Sequence, residues 1–168
     1  MSHTVTVTRT TTTSGNTSYI VINTGYFKSI PGLLKLLELI LGIICVGIIS
    51  YYFDYSLVFY VALKRSYEIF FLCITVTFMI GTFLIVLACL ISLGTGTIMS
   101  KTIFEVVYHL FAGILLIIAG LIVVITISDY NVNKDKYNCT LAAGIIALVN
   151  GVLYLISTFF ANKSYRGI

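Results

Sequence analysis

Four ionisable side chains lie at or inside the ends of two long apolar runs: Lys35, Glu38, Glu105 and His109. Glu105 and His109 are four residues apart, so a helix would present them on one face. Ionisable groups within apolar helices face protein or water and pair with one another. We therefore expect a polar contact between the helix that carries Glu38 and the helix that carries His109.

Two hypotheses fit this cluster. In the first, the four residues form an interfacial ion-pair cluster that fixes the register of the helices, with the long side chains reaching outward to water. In the second, Glu38, Glu105 and His109 form the proton-linked element of a small channel or transporter. The first is preferred, because transporters typically contain broken helices or inverted repeats and the sequence shows neither.

The sequence contains no pattern typical of an enzyme. It has no nucleophile–base pair, no glycine-rich phosphate loop, no HExxH motif and no paired carboxylates. The cysteines Cys45, Cys73 and Cys89 lie in apolar runs, and Cys139 lies in a predicted loop, without the spacing of a zinc site or a disulfide framework. We expect no catalysis, no cofactor and no metal. The net charge of +4 is too small and too scattered to indicate a nucleic-acid partner.

The composition indicates a membrane protein. The 168 residues are 59% hydrophobic and 10% charged, whereas soluble domains contain about 25% charged residues. Four apolar runs, at about residues 33–53, 68–93, 103–127 and 141–160, each approach or exceed the ~20 residues that span a bilayer as a helix. The predicted fold is an all-α, four-helix transmembrane bundle.

The remaining segments are short. Residues 1–25 are rich in threonine and serine and are predicted to form a disordered tail, residues 26–162 form the membrane domain, and residues 163–168 form a second tail. Both tails and the loop 94–102 are predicted to be cytosolic, because no cleavable signal peptide is visible and basic residues are more frequent on that side. The basic residues predicted on the cytosolic side are Arg9, Lys28, Lys35, Lys101, Lys163 and Arg166. Those predicted on the opposite side are Lys64, Arg65, Lys134 and Lys136.

Small residues recur at helical spacing in the third and fourth helices. The members are Ala112, Gly113, Ala119 and Gly120 in the third, and Gly144, Ala147 and Gly151 in the fourth. Such stripes allow close approach of membrane helices, either within the bundle or against another copy. Asn150 lies in the middle of the fourth helix, and its amide is predicted to bond to a neighbouring helix.

The segment YFKSIPGLLKLLELILG, residues 26–42, resembles the start of the MARVEL-domain family. In that family an aromatic–basic–Ser–x–Pro–Gly motif leads into a first helix with an early acidic residue. The matching residues are Tyr26, Phe27, Lys28, Ser29, Pro31, Gly32 and Glu38. The resemblance covers about residues 26–162 and points to the plasmolipin and chemokine-like-factor MARVEL group, including its insect members.

The resemblance implies non-enzymatic work: organising membrane subdomains, vesicle trafficking, and membrane apposition at junctions or in cell–cell fusion. The implied partners are membrane lipids and other membrane proteins or further copies, and the implied location is the plasma membrane or secretory and endocytic vesicles. Two patterns resemble sorting signals for cytosolic adaptors, Tyr19 to Ile22 and Tyr165 to Ile168, although such short patterns also arise by chance. A cell-junction component that acts through the extracellular loops remains an alternative.

Overall fold

Four long helices form the fold in the computed structural model, which describes residues 24–52, 66–92, 94–129 and 133–167. They are α1 (Ile30–Tyr52), α2 (Ser66–Ile91), α3 (Ile103–Thr126) and α4 (Lys134–Arg166). Short helices lie at Thr24–Lys28, Thr95–Met99 and Ile127–Asp129. Each long helix is long and apolar enough to cross a membrane. The predicted all-α, four-helix transmembrane bundle is therefore confirmed.

The start of α1 is fixed by the Tyr26–Gly32 segment. Ser29 precedes the helix, and its Oγ accepts a hydrogen bond from the Gly32 N–H at 3.2 Å while donating to the Tyr26 carbonyl oxygen at 2.6 Å. This is an N-cap, which satisfies a backbone donor that the helix itself leaves free. The Tyr26 carbonyl oxygen occupies the space that a Cβ on Gly32 would need. Capping by Ser29 explains why α1 begins at Ile30 rather than near residue 33.

Helix α4 is longer at both ends than the sequence indicates. It begins at Lys134 rather than near residue 141, so Cys139 lies in a helix and not in a loop. It continues to Arg166, beyond the predicted end at residue 160, and stops at Gly167 with φ of 70°. Asp135 in the first turn and Arg166 in the last complement the helix dipole. The 33 residues span about 50 Å, so these polar turns extend past a ~30 Å hydrocarbon core.

Helices α3 and α4 approach each other at two pairs of glycines. A Cβ on Gly113 would lie 3.0 Å from the Gly151 carbonyl oxygen, and one on Gly120 would lie 3.0 Å from that of Gly144. Ala112, Ala119 and Ala147, from the same stripes, are fully buried. These contacts place both small-residue stripes inside the bundle rather than on a face open to another copy.

The two ends of the bundle are chemically distinct. At one end, here called the terminal end, the start of α1, the short helix Thr95–Met99 and the end of α4 meet. At the opposite end, the Lys136 Nζ donates to the Tyr52 carbonyl oxygen at 3.1 Å. An apolar core fills the half of the bundle nearer this opposite end; it contains Cys45, Ile49, Tyr67, Phe71, Ala119, Val123, Ile127, Ala143 and Ala147.

Candidate functional site

An ion pair joins α1 to α3 near the terminal end. The Lys35 Nζ donates to Glu105 Oε1, and the two side chains are only 4% and 6% exposed. The ion-pair hypothesis expected the long side chain of Lys35 to reach outward to water. It does not, because the Glu105 carboxylate offers a partner inside the bundle. A buried pair of opposite charges satisfies both groups without leaving a net charge in a low-dielectric interior.

Glu38 connects α1 to α4 through both its side chain and its backbone. Its Oε1 accepts a hydrogen bond from the Ser157 hydroxyl, and its carbonyl oxygen accepts one from Asn150 Nδ2 at 3.2 Å. Ser157 was not singled out from the sequence. Its spacing from Asn150 is a signal that was available, because residues seven apart share a helix face.

His109 completes the cluster from α3. Its Nδ1 lies 2.7 Å from the Glu105 carbonyl oxygen, which can only accept, so Nδ1 carries a proton. Its Nε2 lies 3.7 Å from Glu38 Oε2, and both side chains are sealed from solvent. Among the residues described, the buried polar atoms without a hydrogen-bond partner are Glu38 Oε2, His109 Nε2 and Asn150 Oδ1. One proton shared between Nε2 and Oε2 would satisfy the first two.

A hydroxyl network extends this cluster towards α2. The Thr82 hydroxyl bonds to the Tyr154 hydroxyl and lies 2.9 Å from that of Tyr108. Tyr108 in turn donates to the Phe78 carbonyl oxygen at 3.0 Å. The Tyr154 ring lies 5.8 Å from the His109 ring between their centroids. Sequence reasoning missed these hydroxyls, because Thr and Tyr in an apolar helix do not stand out as charged residues do.

A cavity of about 370 Å³ opens above the ion pair at the terminal end. We call it the vestibule; its lining includes Tyr26, Ser29, Lys35, Ser100, Glu105 and Ser164. A smaller cavity of about 30 Å³ shares Lys35 and Glu105 with it and reaches Ser157. Tyr26 is half-buried here, and burial raises the pKa of its hydroxyl above the usual range, with Cys89 and Glu105 adding to the effect. The vestibule therefore leads from the terminal end to the polar cluster.

The polar cluster does not continue to the opposite end within the described residues. There, Lys136 Nζ lies 3.2 Å from Glu68 Oε1, in a separate ion pair that the sequence did not suggest. The apolar core lies between the two. The arrangement can hold charge and a proton near one end of the bundle, and the described chain offers no polar connection across it.

The remaining candidate residues have different positions. Phe27 packs against Tyr26 with ring centroids 6.1 Å apart, and Lys28 is exposed. Pro31 lies in the first turn of α1, where its missing N–H breaks no helical hydrogen bond. Tyr165 is exposed in the last turn of α4, whereas Tyr19, Ile22 and Ile168 lie outside the described residues. No group of His, Cys, Asp or Glu suited to a metal ion occurs in the described part of the chain.

Comparison with known proteins gives one match. The MARVEL model, described as a membrane-associating domain, matches residues 26–160. No curated protein and no solved structure matches the chain. The matched segment begins at Tyr26, which opens the capping segment of α1, and takes in all four long helices except the end of α4. The chain belongs to the MARVEL family of membrane-associating domains.

Proposed function

We propose that this protein is a non-enzymatic membrane organiser that packs laterally against lipids and other membrane proteins, in vesicle traffic or at sites of membrane contact. The observation that carries this proposal is the distribution of polarity. The ionisable side chains Lys35, Glu38, Glu68, Glu105 and His109 are buried. Large apolar side chains face outward on every spanning helix. Examples are Ile43 (53% exposed), Leu84 (56%), Ile125 (67%) and Phe159 (66%). Such a surface offers contacts to lipid tails and to helices of neighbouring proteins.

The apolar core argues against the alternative of a proton or ion channel. A conducting path needs polar groups or water along its length. Cys45, Phe71, Val123 and Ala147 close the interior between the two polar ends, each with at most 1% of its surface exposed. In this arrangement Glu38, Glu105 and His109 serve as a structural connection among helices α1, α3 and α4.

The proposal includes the orientation of the bundle in the membrane and the subgroup of the MARVEL family to which the chain belongs. We place the terminal end in the cytosol, which is supported by the basic residues Lys28, Lys101, Lys163 and Arg166 at that end. The capping segment from Tyr26 to Gly32 supports membership of the plasmolipin and chemokine-like-factor group. The proposed locations are the plasma membrane and vesicles of the secretory and endocytic system.

The experiment that tests the proposal is imaging of the tagged full chain in its own cells, combined with deletion of the gene. We expect enrichment in vesicles, at cell contacts or at fusion sites, and a matching defect on deletion. Protease protection of tags at both ends, in sealed vesicles, tests the orientation. A diffuse distribution without any trafficking, junction or fusion defect contradicts the organiser.

A flux measurement separates the organiser from the channel. The purified chain is reconstituted into liposomes that contain a pH-sensitive dye, and a proton gradient is applied. We expect no more leak than in empty liposomes. Proton flux that disappears in Glu105→Gln would instead support the channel.

A further inference from the structure

Two polar atoms that face each other inside the bundle lack a hydrogen bond. Glu38 Oε2 and His109 Nε2 are 3.7 Å apart, and among the described residues neither has a hydrogen-bond partner. The proton of the His109 ring is on Nδ1, where the Glu105 carbonyl oxygen accepts it, so Nε2 of the neutral ring is an acceptor. An ionised Glu38 carboxylate is an acceptor as well. Two facing acceptors gain a partner when one proton is added, so the pair favours proton uptake.

The groups around this pair do not compete for the added proton. The charged and titratable side chains that surround it are Lys35 from α1, Cys89 from α2, Glu105 and Tyr108 from α3, Tyr154 from α4, and Tyr26 from the capping segment. Lys35 and Glu105 are paired with each other, so their charges cancel. The hydroxyls of Tyr108 and Tyr154 bond to that of Thr82 on α2. The added proton is therefore left to the facing pair.

A small cavity lies between the vestibule and this pair. Its volume of about 30 Å³ exceeds the ~10–15 Å³ that one water molecule needs. Its polar lining consists of Lys35, Ser100, Glu105, Ser157 and Ser164, so a water molecule there finds several hydrogen-bond partners. Except for Ser157, these polar residues also line the vestibule. The cavity therefore connects the vestibule with Ser157.

Ser157 connects the cavity with Glu38. Its hydroxyl donates to Glu38 Oε1, and the hydroxyl oxygen can accept a hydrogen bond from water in the cavity. A proton can move inward by linked transfers: a hydronium ion gives its proton to Ser157 Oγ and becomes water, while the Ser157 proton passes to Glu38 Oε1. A half-turn of the carboxyl group then brings this proton beside His109 Nε2. The apolar core closes the interior beyond the pair, so the route ends there.

We propose that the Glu38–His109 pair is a proton-binding site that exchanges its proton with the terminal end through water in the small cavity. The bound proton gives both facing atoms a partner and so strengthens the contact between α1 and α3. The acidity of the compartment at the terminal end thereby regulates how firmly these helices pack, because acidification fills the site and alkalinisation empties it. The site binds a proton without conducting it. It goes beyond the proposed function and does not depend on it.

The test follows the Nε2 signal of His109 by nitrogen NMR, in the purified full chain with isotope-labelled histidine. His3→Gln leaves His109 as the one labelled residue, since the chain has 2 histidines. We expect the signal to change with pH in one step. In Glu38→Gln the step should be lost, because the amide NH₂ already donates to Nε2 and no carboxylate remains to share a proton. The same step in Glu38→Gln would assign the proton to His109 alone and overturn the proposal.

The matched control for Glu38→Gln is Asp135→Asn. It removes an exposed carboxylate at the opposite end and should leave the step unchanged. Loss of the step in Asp135→Asn as well would show that the signal follows the overall charge of the chain, which would also overturn the proposal.

A second measurement tests the route of the proton. The same signal is followed after transfer of the chain into heavy water, since a deuteron at the pair shifts it. Ala161→Leu fills the small cavity and should slow the exchange by about ten-fold or more, because exchange then waits for local opening of the helices. Its control is Ala142→Leu, at an exposed alanine of the same helix. Unfolding speeds exchange, so a slower rate cannot result from a failed fold.

Ser164→Leu blocks the same route without a change in the core. Ser164 is exposed and lines both the vestibule and the small cavity. The substitution should slow the exchange, whereas Ser128→Leu, at an exposed serine of the opposite end, should not. Unchanged exchange in Ser164→Leu, or equal slowing in Ser128→Leu, would overturn the proposed route and with it the site.

Discussion

His109 Nε2 and Glu38 Oε2 face each other at 3.7 Å, beyond hydrogen-bond distance, and neither atom has a hydrogen-bond partner. Since His109 Nδ1 already donates to the Glu105 carbonyl oxygen, a single proton placed between the two facing atoms would give both a partner. With that proton, on the imidazole or on the carboxyl, the pair as a whole is neutral. Together with the Lys35–Glu105 pair, the cluster would then bury four ionisable groups with no net charge.

A neutral amide should therefore be tolerated in place of the Glu38 carboxyl group. In Glu38→Gln the amide oxygen can still accept from Ser157 and the NH₂ can donate to His109 Nε2, so we expect a small change in stability. Glu38→Leu leaves the Ser157 hydroxyl without its acceptor and His109 Nε2 without a polar neighbour, which costs about 1–3 kcal/mol for each buried group. Unfolding of both variants in mixed micelles measures the difference. Equal losses in the two variants would mean that the cluster requires an ionised carboxylate.

The Lys35–Glu105 pair should show strong coupling. Removing one partner strands a buried charge, so Lys35→Met and Glu105→Leu should each destabilise the bundle by about 3–5 kcal/mol. The double variant should be more stable than either single variant. A double-mutant cycle on the free energy of unfolding tests this, with Lys101→Met as the control at an exposed lysine of the same end. Additive losses would show that the two side chains do not interact.

The glycine contacts between α3 and α4 should tolerate no methyl group. A Cβ on Gly151 would lie 2.7 Å from Ile117 Cγ1 and 3.1 Å from the Gly113 carbonyl oxygen. Gly151→Ala and Gly113→Ala should therefore push the helices apart and cost about 1–3 kcal/mol. Gly47→Ala is the control, because nothing lies within 4 Å of that added atom. A loss at Gly47 equal to that at Gly151 would contradict the packing argument.

Within the capping segment, an alanine substitution at Gly32 should destabilise the fold more than one at Ser29. Ser29→Ala removes the N-cap and should cost about 1 kcal/mol. Gly32→Ala should cost more, because its methyl group would displace the Tyr26 carbonyl oxygen and with it the tyrosine ring. The Tyr26 ring and the Cys89 Sγ are neighbours beside Gly96, since a Cβ on that glycine would lie within 4 Å of both. Displacing the ring should therefore expose Cys89, which is 2% exposed, to a water-soluble maleimide. The labelling is done in a chain whose other three cysteines are alanine; unchanged labelling in Gly32→Ala would count against this role of Gly32.

Tyr26 should make the fold sensitive to alkaline pH. Burial raises the pKa of its hydroxyl, whereas an unfolded tyrosine loses its proton near pH 10. The folded state then binds more protons above about pH 10, so stability is full below that pH and is lost as pH rises past it. Tyr26→Phe should weaken this loss. Absorbance titration gives a direct measure, since the substitution should remove a tyrosinate signal near pH 10 from the unfolded chain but not from the folded one.

The sequence predicted those parts of the fold whose composition is set by the hydrocarbon of a lipid bilayer. Apolar runs of the length of a bilayer located all four helices, and Lys35, Glu38, Glu105 and His109 stood out because charge is costly there. The ends of α4 could not be placed in this way, because residues 134–140 and 161–166 are rich in polar residues and do not belong to the apolar run on which this signal depends. Ser157, Thr82 and Tyr154 were missed because a hydroxyl is tolerated in many apolar helices, and only packing shows which ones meet. The vestibule could not be predicted because its lining combines the start of α1, the α2–α3 connection, the start of α3 and the end of α4, which only the fold brings together.

The partners in the polar cluster are far apart in the order of synthesis. Lys35 meets Glu105 70 residues later, and Glu38 meets Ser157 119 residues later. At about 5–20 residues per second, α1 waits roughly 4–14 s for the partner of its lysine. During that time the first helix carries unpaired charges that lipid does not solvate. A chain that stops before α3 and α4 keeps those charges unpaired. The residues that hold the complete bundle together therefore distinguish an incomplete chain by its unpaired intramembrane charges.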